Sequence, residues 1–187
     1  INAQAFVYSW QRTVTPATKS PYTNLFSNIE NAPAIATGQL APEKLGVKAL
    51  DQQTLQVTLS KPVAYMKTLM AYPLFAPQDQ KVVEKYGKQY ATKAEYMVYS
   101  GPFKLVNWTG TNDKWQFKKN PKYWDHKKVK LQQINYTVLE NTSTALYLYQ
   151  ENKLDLTQLD NQQLDNYRDD AGFKRYPYAL TNYLKYN

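Results

Sequence analysis

The sequence predicts a mixed α/β (α+β) fold, and three observations carry the prediction. Helical and strand periodicities alternate along the chain, with no internal repeat and no low-complexity tract. The stretch from Ser100 to Asp125 reads as a complete β-hairpin that ends in an Asn-Pro stop. Proline and glycine punctuate the remaining segments at short intervals. With 187 residues, 43% hydrophobic and 20% charged, the chain is long and apolar enough to bury a core.

In chain order, Asn2 caps a helix that places Phe6, Val7, Trp10 and Val14 on one face, and Thr15-Pro16-Ala17-Thr18 closes it. Ser20-Pro21-Tyr22 opens a second segment with Leu25, Phe26 and Ile29 at helical spacing, and a short helix is expected through Ala34 to Ala36. Val47–Leu50 and Thr54–Leu59 read as two strands around Asp51-Gln52-Gln53. Pro62 is expected to start a helix carrying Val63, Met66, Leu69 and Met70, which Pro73 ends. Pro77 marks a candidate subdomain boundary. Gln80–Tyr86 is helical and Gly87 closes it, and Lys88–Tyr99 is loop-like.

The hairpin follows. Phe103, Leu105, Val106 and Trp108 suit one strand, Thr109–Asp113 supplies turn chemistry, and Trp115 and Phe117 alternate with polar neighbours on the return. Asn120-Pro121 stops it, and Lys122-Tyr123-Trp124-Asp125 reads as an aromatic plug. Beyond it we expect a strand over Leu131–Leu139 and a helix capped by Thr142. A short strand at Leu154–Leu156, a helix over Gln162–Tyr167, and strands at Phe173–Ala179 and Asn182–Asn187 complete the order.

The net charge is +8. Through Asp79 there are 6 Lys+Arg against 4 Asp+Glu, and beyond it 17 against 11, an excess of +2 and +6. The densest basic cluster, Lys118, Lys119, Lys122, Lys127, Lys128 and Lys130, is interrupted by Asp125, the pattern of a solvated face rather than a nucleic-acid groove. Cysteine is absent, so disulfides, thiolate nucleophiles and cysteine metal sites are excluded. No apolar run reaches the ~18–20 residues that a membrane span needs. No stretch reads as a signal peptide, and both ends read as interrupted elements, so a piece of a longer protein is expected.

Reactive groups are sparse. The one histidine, His126, lies in a lysine-rich turn without a matched Ser or carboxylate. Metal-ligand spacings and grouped glycines are absent. Asp155 and Asp160 form a nominal carboxylate pair with nothing nearby to raise a pKa. No catalytic site, metal or cofactor is expected. Aromatics interleaved with lysines at Trp115–Lys119 mimic a stacking platform, yet alternation on a strand sends the two types to opposite faces.

Four motifs in order carry a resemblance. Ala3–Arg12 (AQAFVYSWQR) resembles the first helix of oligopeptide-binding proteins, the extracellular solute-binding protein family 5 receptors of peptide ABC transporters. Ser20-Pro21-Tyr22 follows at the expected distance. Leu45–Asp51 with Thr54–Leu59 resembles the family's GVKAxDxxTLxVTL hairpin. Ser100–Leu105 resembles (N/T)GPYKL, and Asn120–Asp125 resembles NPxYWD. Ala5 departs from the usual acidic residue, and Lys185 stands where oligopeptide binders carry a glutamate facing the ligand.

The resemblance implies a periplasmic-binding-protein-like class II clamshell, of which this chain holds part of lobe I. Residues 1–78 would form most of the small extra subdomain, 79–178 the central part of lobe I, and 179–187 the start of the hinge strand. It implies a substrate-binding component that captures oligopeptides outside the membrane and delivers them to permease subunits. The membrane would be reached only through a lipid anchor outside this segment. By the same resemblance Tyr22, Tyr72, Tyr178 and Tyr183 would line the peptide cleft. The competing reading is an independent basic, aromatic-rich module for a cell-surface polymer or nucleic acid.

Overall fold

A computed structural model describes residues 1–177; Tyr178, Tyr183 and the expected strand over Asn182–Asn187 lie outside the described residues. The chain divides into two compact units, Ile1–Tyr136 and Thr137–Asn187.

The first unit begins with α1 (Ala3–Val14), whose Asn2 cap accepts the Ala5 N–H at 3.0 Å. Its buried face carries Val7, Trp10 and Val14, as the helical spacing predicts. The Ser20–Ile29 segment is tighter than expected. A 3₁₀ helix spans Thr23–Phe26, and Ile29 leaves it to form a β-bridge with Leu59. Phe26 and Ile29 are still both fully buried, so the apolar spacing marked the core although the helix type differs.

Helix α2 (Ala32–Ala36) is followed by the antiparallel strands β1 (Val47–Ala49) and β2 (Leu55–Val57), with Val47 opposite Val57. Gly46 precedes β1 because nothing larger fits. A Cβ there would lie 2.7 Å from both Glu30 Cβ and the Thr58 carbonyl oxygen. The helix expected from Pro62 forms only as α3 (Met66–Leu69), with Met66 buried. Helix α4 (Gln80–Tyr86) matches its expected span, and the Asp79 side chain caps it through the Val82 N–H.

Core packing gathers on Trp10. Its ring meets Phe75 edge-on at 5.3 Å and Phe26 at 5.9 Å, while Phe26 and Phe75 stack at 4.4 Å. The indole Nε1 donates to the Phe75 carbonyl at 2.9 Å, and Ser9 Oγ donates to the Ala76 carbonyl at 2.9 Å. The helix interior thereby satisfies its polar atoms and ties residues 75–76 back to the start of the chain. Arg12 extends the tie, donating to Gln78 Oε1 at 3.1 Å and lying 5.7 Å from the Tyr90 ring centre. Burial raises the Tyr90 phenol pKa, and the nearby Arg12 charge opposes that shift.

The hairpin of β3 (Phe103–Val106) and β4 (Lys114–Lys119) pairs Phe103 with Lys119 and Leu105 with Phe117. Strand β5 (Gln133–Thr137) adds to β4 in the order β3-β4-β5. The hairpin turn is held by Asn112, which accepts the Thr109 N–H at 2.8 Å and donates to the carbonyls of Asn107 and Lys114. Trp115 stacks on Tyr136 at 5.8 Å, and Phe117 meets the same ring edge-on at 5.4 Å. These aromatics are half-buried or exposed, so the period-2 pattern gives a face and not a closed core.

Asn120 is the hub of the following turn. It is fully buried, donates to the Gly101 carbonyl at 2.9 Å and accepts the Lys122 N–H at 3.1 Å. The expected aromatic plug is corrected at one residue: Tyr123 is partly buried, but Trp124 is 82% exposed. The turn is closed by backbone and Asn120 bonds, which leave Trp124 uncovered.

In the second unit, α5 (Thr142–Gln150) is capped by Asn141, one residue before the expected Thr142, through the Ser143 and Thr144 N–H groups. The Leu154–Leu156 strand does not form; those residues are irregular, and among the described residues they have no sheet neighbour with which to form a ladder. Helix α6 (Leu164–Tyr167) is shorter than the expected Gln162–Tyr167. Phe173–Pro177 is irregular rather than a strand, and residues 178–179 of that expected strand lie outside the described residues.

Candidate functional site

Two of the four expected cleft tyrosines can be placed, and they occupy equivalent positions. Tyr22 precedes the 3₁₀ helix Thr23–Phe26, and Tyr72 precedes the 3₁₀ helix Pro73–Phe75. The trailing phenylalanines of these helices, Phe26 and Phe75, are the stacked pair of the core. Each short helix thus buries its last ring and leads with an exposed tyrosine. Tyr22 is 51% exposed and Tyr72 47% exposed.

A proline neighbours each tyrosine, before Tyr22 and after Tyr72. Pro73 holds Tyr72 in the extended region, at φ −69° and ψ 137°, whereas Tyr22, which follows Pro21, sits at φ −116° and ψ 23°. The Tyr72 carbonyl accepts the Phe75 N–H at 3.0 Å, and the Tyr22 carbonyl accepts the Leu25 N–H at 3.1 Å. Among the described residues neither phenol oxygen has a hydrogen-bond partner. A half-exposed phenol without a partner suits contact with a ligand that is part apolar and part polar.

Tyr72 lines an open groove of about 470 Å³ with Tyr65, Thr68, Leu69, Ala71 and Pro73; Tyr22 is not among its lining residues. Tyr65 is an addition that the sequence reading missed. Its hydroxyl accepts from Asn28 Nδ2 at 3.2 Å, which fixes the ring. The available signal was the spacing Tyr65, Thr68, Leu69, Tyr72, one side of a helical turn whose other side buries Met66. Among the described residues the groove carries no ammonium, guanidinium or carboxylate side chain, so these residues offer shape and apolar contact without charge.

The remaining candidates have partners close to them in the chain. His126 Nδ1 lies 3.1 Å from the Tyr123 carbonyl in its own turn. Asp160 accepts the Thr142 hydroxyl at 2.6 Å and the N–H groups of Gln162 and Gln163. Those bonds, the Thr142 hydroxyl first, hold its carboxyl pKa below the ordinary value. Asp160 therefore anchors the start of α5 and stays ionised. The sign follows: the anchor is fully present above the ordinary carboxylate pKa and is lost as pH falls through the depressed folded value. In an acid titration followed by NMR, the Asp160 carboxyl is expected to titrate below its unfolded value, and Thr142→Val is expected to move it upward. An unshifted curve in both proteins would remove Asp160 from that role.

The fold places this surface within a recognisable class. A solved Listeria monocytogenes OppA bound to peptide superposes with a TM-score of 0.88 at 45% identity, over 91% of this chain and 34% of that one. The architecture is therefore that of part of a class II periplasmic-binding-protein clamshell. The family model described as bacterial extracellular solute-binding proteins, family 5 middle, matches residues 1–187, and the chain belongs to that family. Among curated relatives, a dipeptide-binding protein of Lactococcus lactis subsp. cremoris is 40% identical over all of this chain and 35% of its own length. A protein named probable deoxycholate-binding periplasmic protein in Escherichia coli is 40% identical over 88% of this chain and 31% of its own length. The chain spans about a third of the length of the curated relatives it matches. These relatives are named as binding proteins, and nothing among them favours the competing polymer- or nucleic-acid-binding module.

Proposed function

We propose that this chain is part of the substrate-binding component of an ABC transporter, one that captures oligopeptides outside the membrane and delivers them to the permease. The observation that carries the reading is the match along the whole chain to a family with a peptide-bound solved member, joined to two half-exposed tyrosines whose phenols have no partner among the described residues. Residues 1–78 serve as the small extra subdomain, 79–178 as the central part of lobe I, and 179–187 as the start of the hinge strand. Tyr22 and Tyr72 contact the peptide, and Tyr178 and Tyr183 join them near the hinge. The component acts by binding alone, without catalysis or cofactor. It is extracytoplasmic, and its contact with the membrane is a lipid anchor outside this segment.

The physical logic is economical. An extended peptide pairs its backbone amides in strand-like fashion, which gives affinity independent of sequence. Closure of a second lobe then excludes water and completes the clamp. The uncharged groove at Tyr72 contributes contact area without selecting charge.

Calorimetry on the full-length receptor with a mixed peptide library is the test. Tyr72→Ala and Tyr22→Ala are each expected to weaken peptide binding by about tenfold, the scale of one interface aromatic of roughly 1–2 kcal/mol. Both side chains are half-exposed, so the melting temperature is expected to stay within a few degrees. Deoxycholate belongs in the same titration because one relative is named for it. Micromolar deoxycholate binding without peptide binding would overturn the reading.

A further inference from the structure

The 3₁₀ helix that Tyr72 leads is open at its far end. It is three residues long, Pro73–Phe75, and Ala76 after it is extended, at φ −63° and ψ 145°, as expected of a residue before a proline. The chain turns away there, and Pro77 has no N–H to offer the carbonyls at the helix end. Two side chains of α1 supply the donors. Trp10 Nε1 donates to the Phe75 carbonyl and Ser9 Oγ to the Ala76 carbonyl, each at 2.9 Å, from 65 and 67 positions away. The tie reaches Tyr72 within one turn, because the Phe75 N–H donates to the Tyr72 carbonyl and the Ala76 N–H to the Pro73 carbonyl, each at 3.0 Å.

The helix that Tyr22 leads is closed locally. Ser27 follows it in helical conformation, at φ −57° and ψ −21°; its N–H donates to the Asn24 carbonyl at 3.1 Å, and the Ile29 N–H donates to the Phe26 carbonyl at 2.8 Å. Of the two long-range donors, Ser9 acts on the Tyr72 turn alone. Trp10 packs on both Phe26 and Phe75, so its loss disturbs both turns. A serine or threonine inside a helix often returns its hydroxyl to the carbonyl four residues back, as Thr13 does to Ser9 at 2.8 Å. The buried Ser9 hydroxyl instead crosses to Ala76.

We propose that Ser9 is a positioning residue for Tyr72: its hydroxyl caps the turn that Tyr72 leads and sets how the Tyr72 ring is presented, while Tyr22 is presented independently of it. The consequence for peptide affinity rests on the reading of Tyr72 as a peptide contact; the positioning itself rests on the hydrogen bonds alone.

Fluorine NMR on the ligand-free full-length receptor, with a single 3-fluorotyrosine placed at Tyr72 or at Tyr22, tests it. Ser9→Ala keeps α1, since alanine is the best helix former. It is expected to shift or broaden the Tyr72 signal and to leave the Tyr22 signal in place. An unmoved Tyr72 signal would overturn the proposal, and so would equal movement of both signals, the mark of general loosening around α1. Calorimetry with peptide adds a double-mutant cycle. Ser9→Ala is expected to weaken binding about fivefold, the factor of one hydrogen bond, in the wild-type and the Tyr22→Ala backgrounds. On Tyr72→Ala it is expected to change binding by less than about twofold, because the two residues act as one. The full loss on Tyr72→Ala would overturn the positioning role. A moved Tyr72 signal with peptide affinity unchanged in both Ser9→Ala and Tyr72→Ala would uphold the positioning and remove Tyr72 from the peptide contacts.

Discussion

Trp10→Ala is expected to destabilise the region around α1 by about 3–5 kcal/mol, the range for deleting a large buried aromatic. The indole is fully buried and contacts Phe6, Phe26 and Phe75 in edge-on geometry. Its removal leaves a cavity, ends three aromatic contacts of about 0.5–1.5 kcal/mol each, and leaves the Phe75 carbonyl without its donor. Trp10→Phe separates these effects. It refills part of the volume but not the hydrogen bond, so a loss of about 1–3 kcal/mol is expected from the unpaired carbonyl. Urea unfolding of both variants, followed by circular dichroism, measures the difference. A loss below about 1 kcal/mol for Trp10→Ala would show that the aromatic cluster collapses without penalty, against the reading of Trp10 as the centre of the core.

Asn120→Ala is expected to cost about 2–3 kcal/mol, because buried polar groups left without partners are expensive. The side chain donates to the Gly101 carbonyl and accepts the Lys122 N–H, and its own N–H meets the Pro102 carbonyl. Deleting it strands a carbonyl and an N–H at the point where β4 turns away from β3. Asn120→Asp gives a sharper test, with a sign. An ionised carboxylate would face the Gly101 carbonyl at hydrogen-bond distance, so its folded pKa is raised above the unfolded value near 3.9. The protonated form can donate to that carbonyl and the ionised form cannot. The variant is therefore expected to be most stable below the unfolded value and to lose stability as pH rises through the raised folded value. Thermal melts from pH 3 to pH 7 would show this slope, and a flat profile would mean that water replaces the Asn120 contacts.

How much was legible beforehand divides by the range of the interaction. The Asn2 cap, the α1 face, the Asp79-capped helix and the hairpin turn are set by residues within about four positions of one another, and each appears where its pattern predicts. The α3 helix and the Leu154–Leu156 strand failed for a shared reason. Apolar spacing specifies a face, but a partner across space decides whether a turn or a ladder propagates. Tyr22 and Tyr72 were named from resemblance alone. That they lead two matched 3₁₀ helices became visible only through the Phe26–Phe75 stack, which joins residues about fifty positions apart.

The sequence by itself determined the mixed α/β class, the Asn2 cap, the hairpin turn and, through four motifs, the solute-binding family. These rest on local backbone chemistry and residue identity, which the order of residues encodes directly. Only the tertiary structure decided that Trp10 closes the core on Phe75, that Tyr65 joins Tyr72 in one groove, and that Trp124 is uncovered. Each of those depends on which distant segments meet, and burial is a property of the packed chain rather than of any single stretch of it.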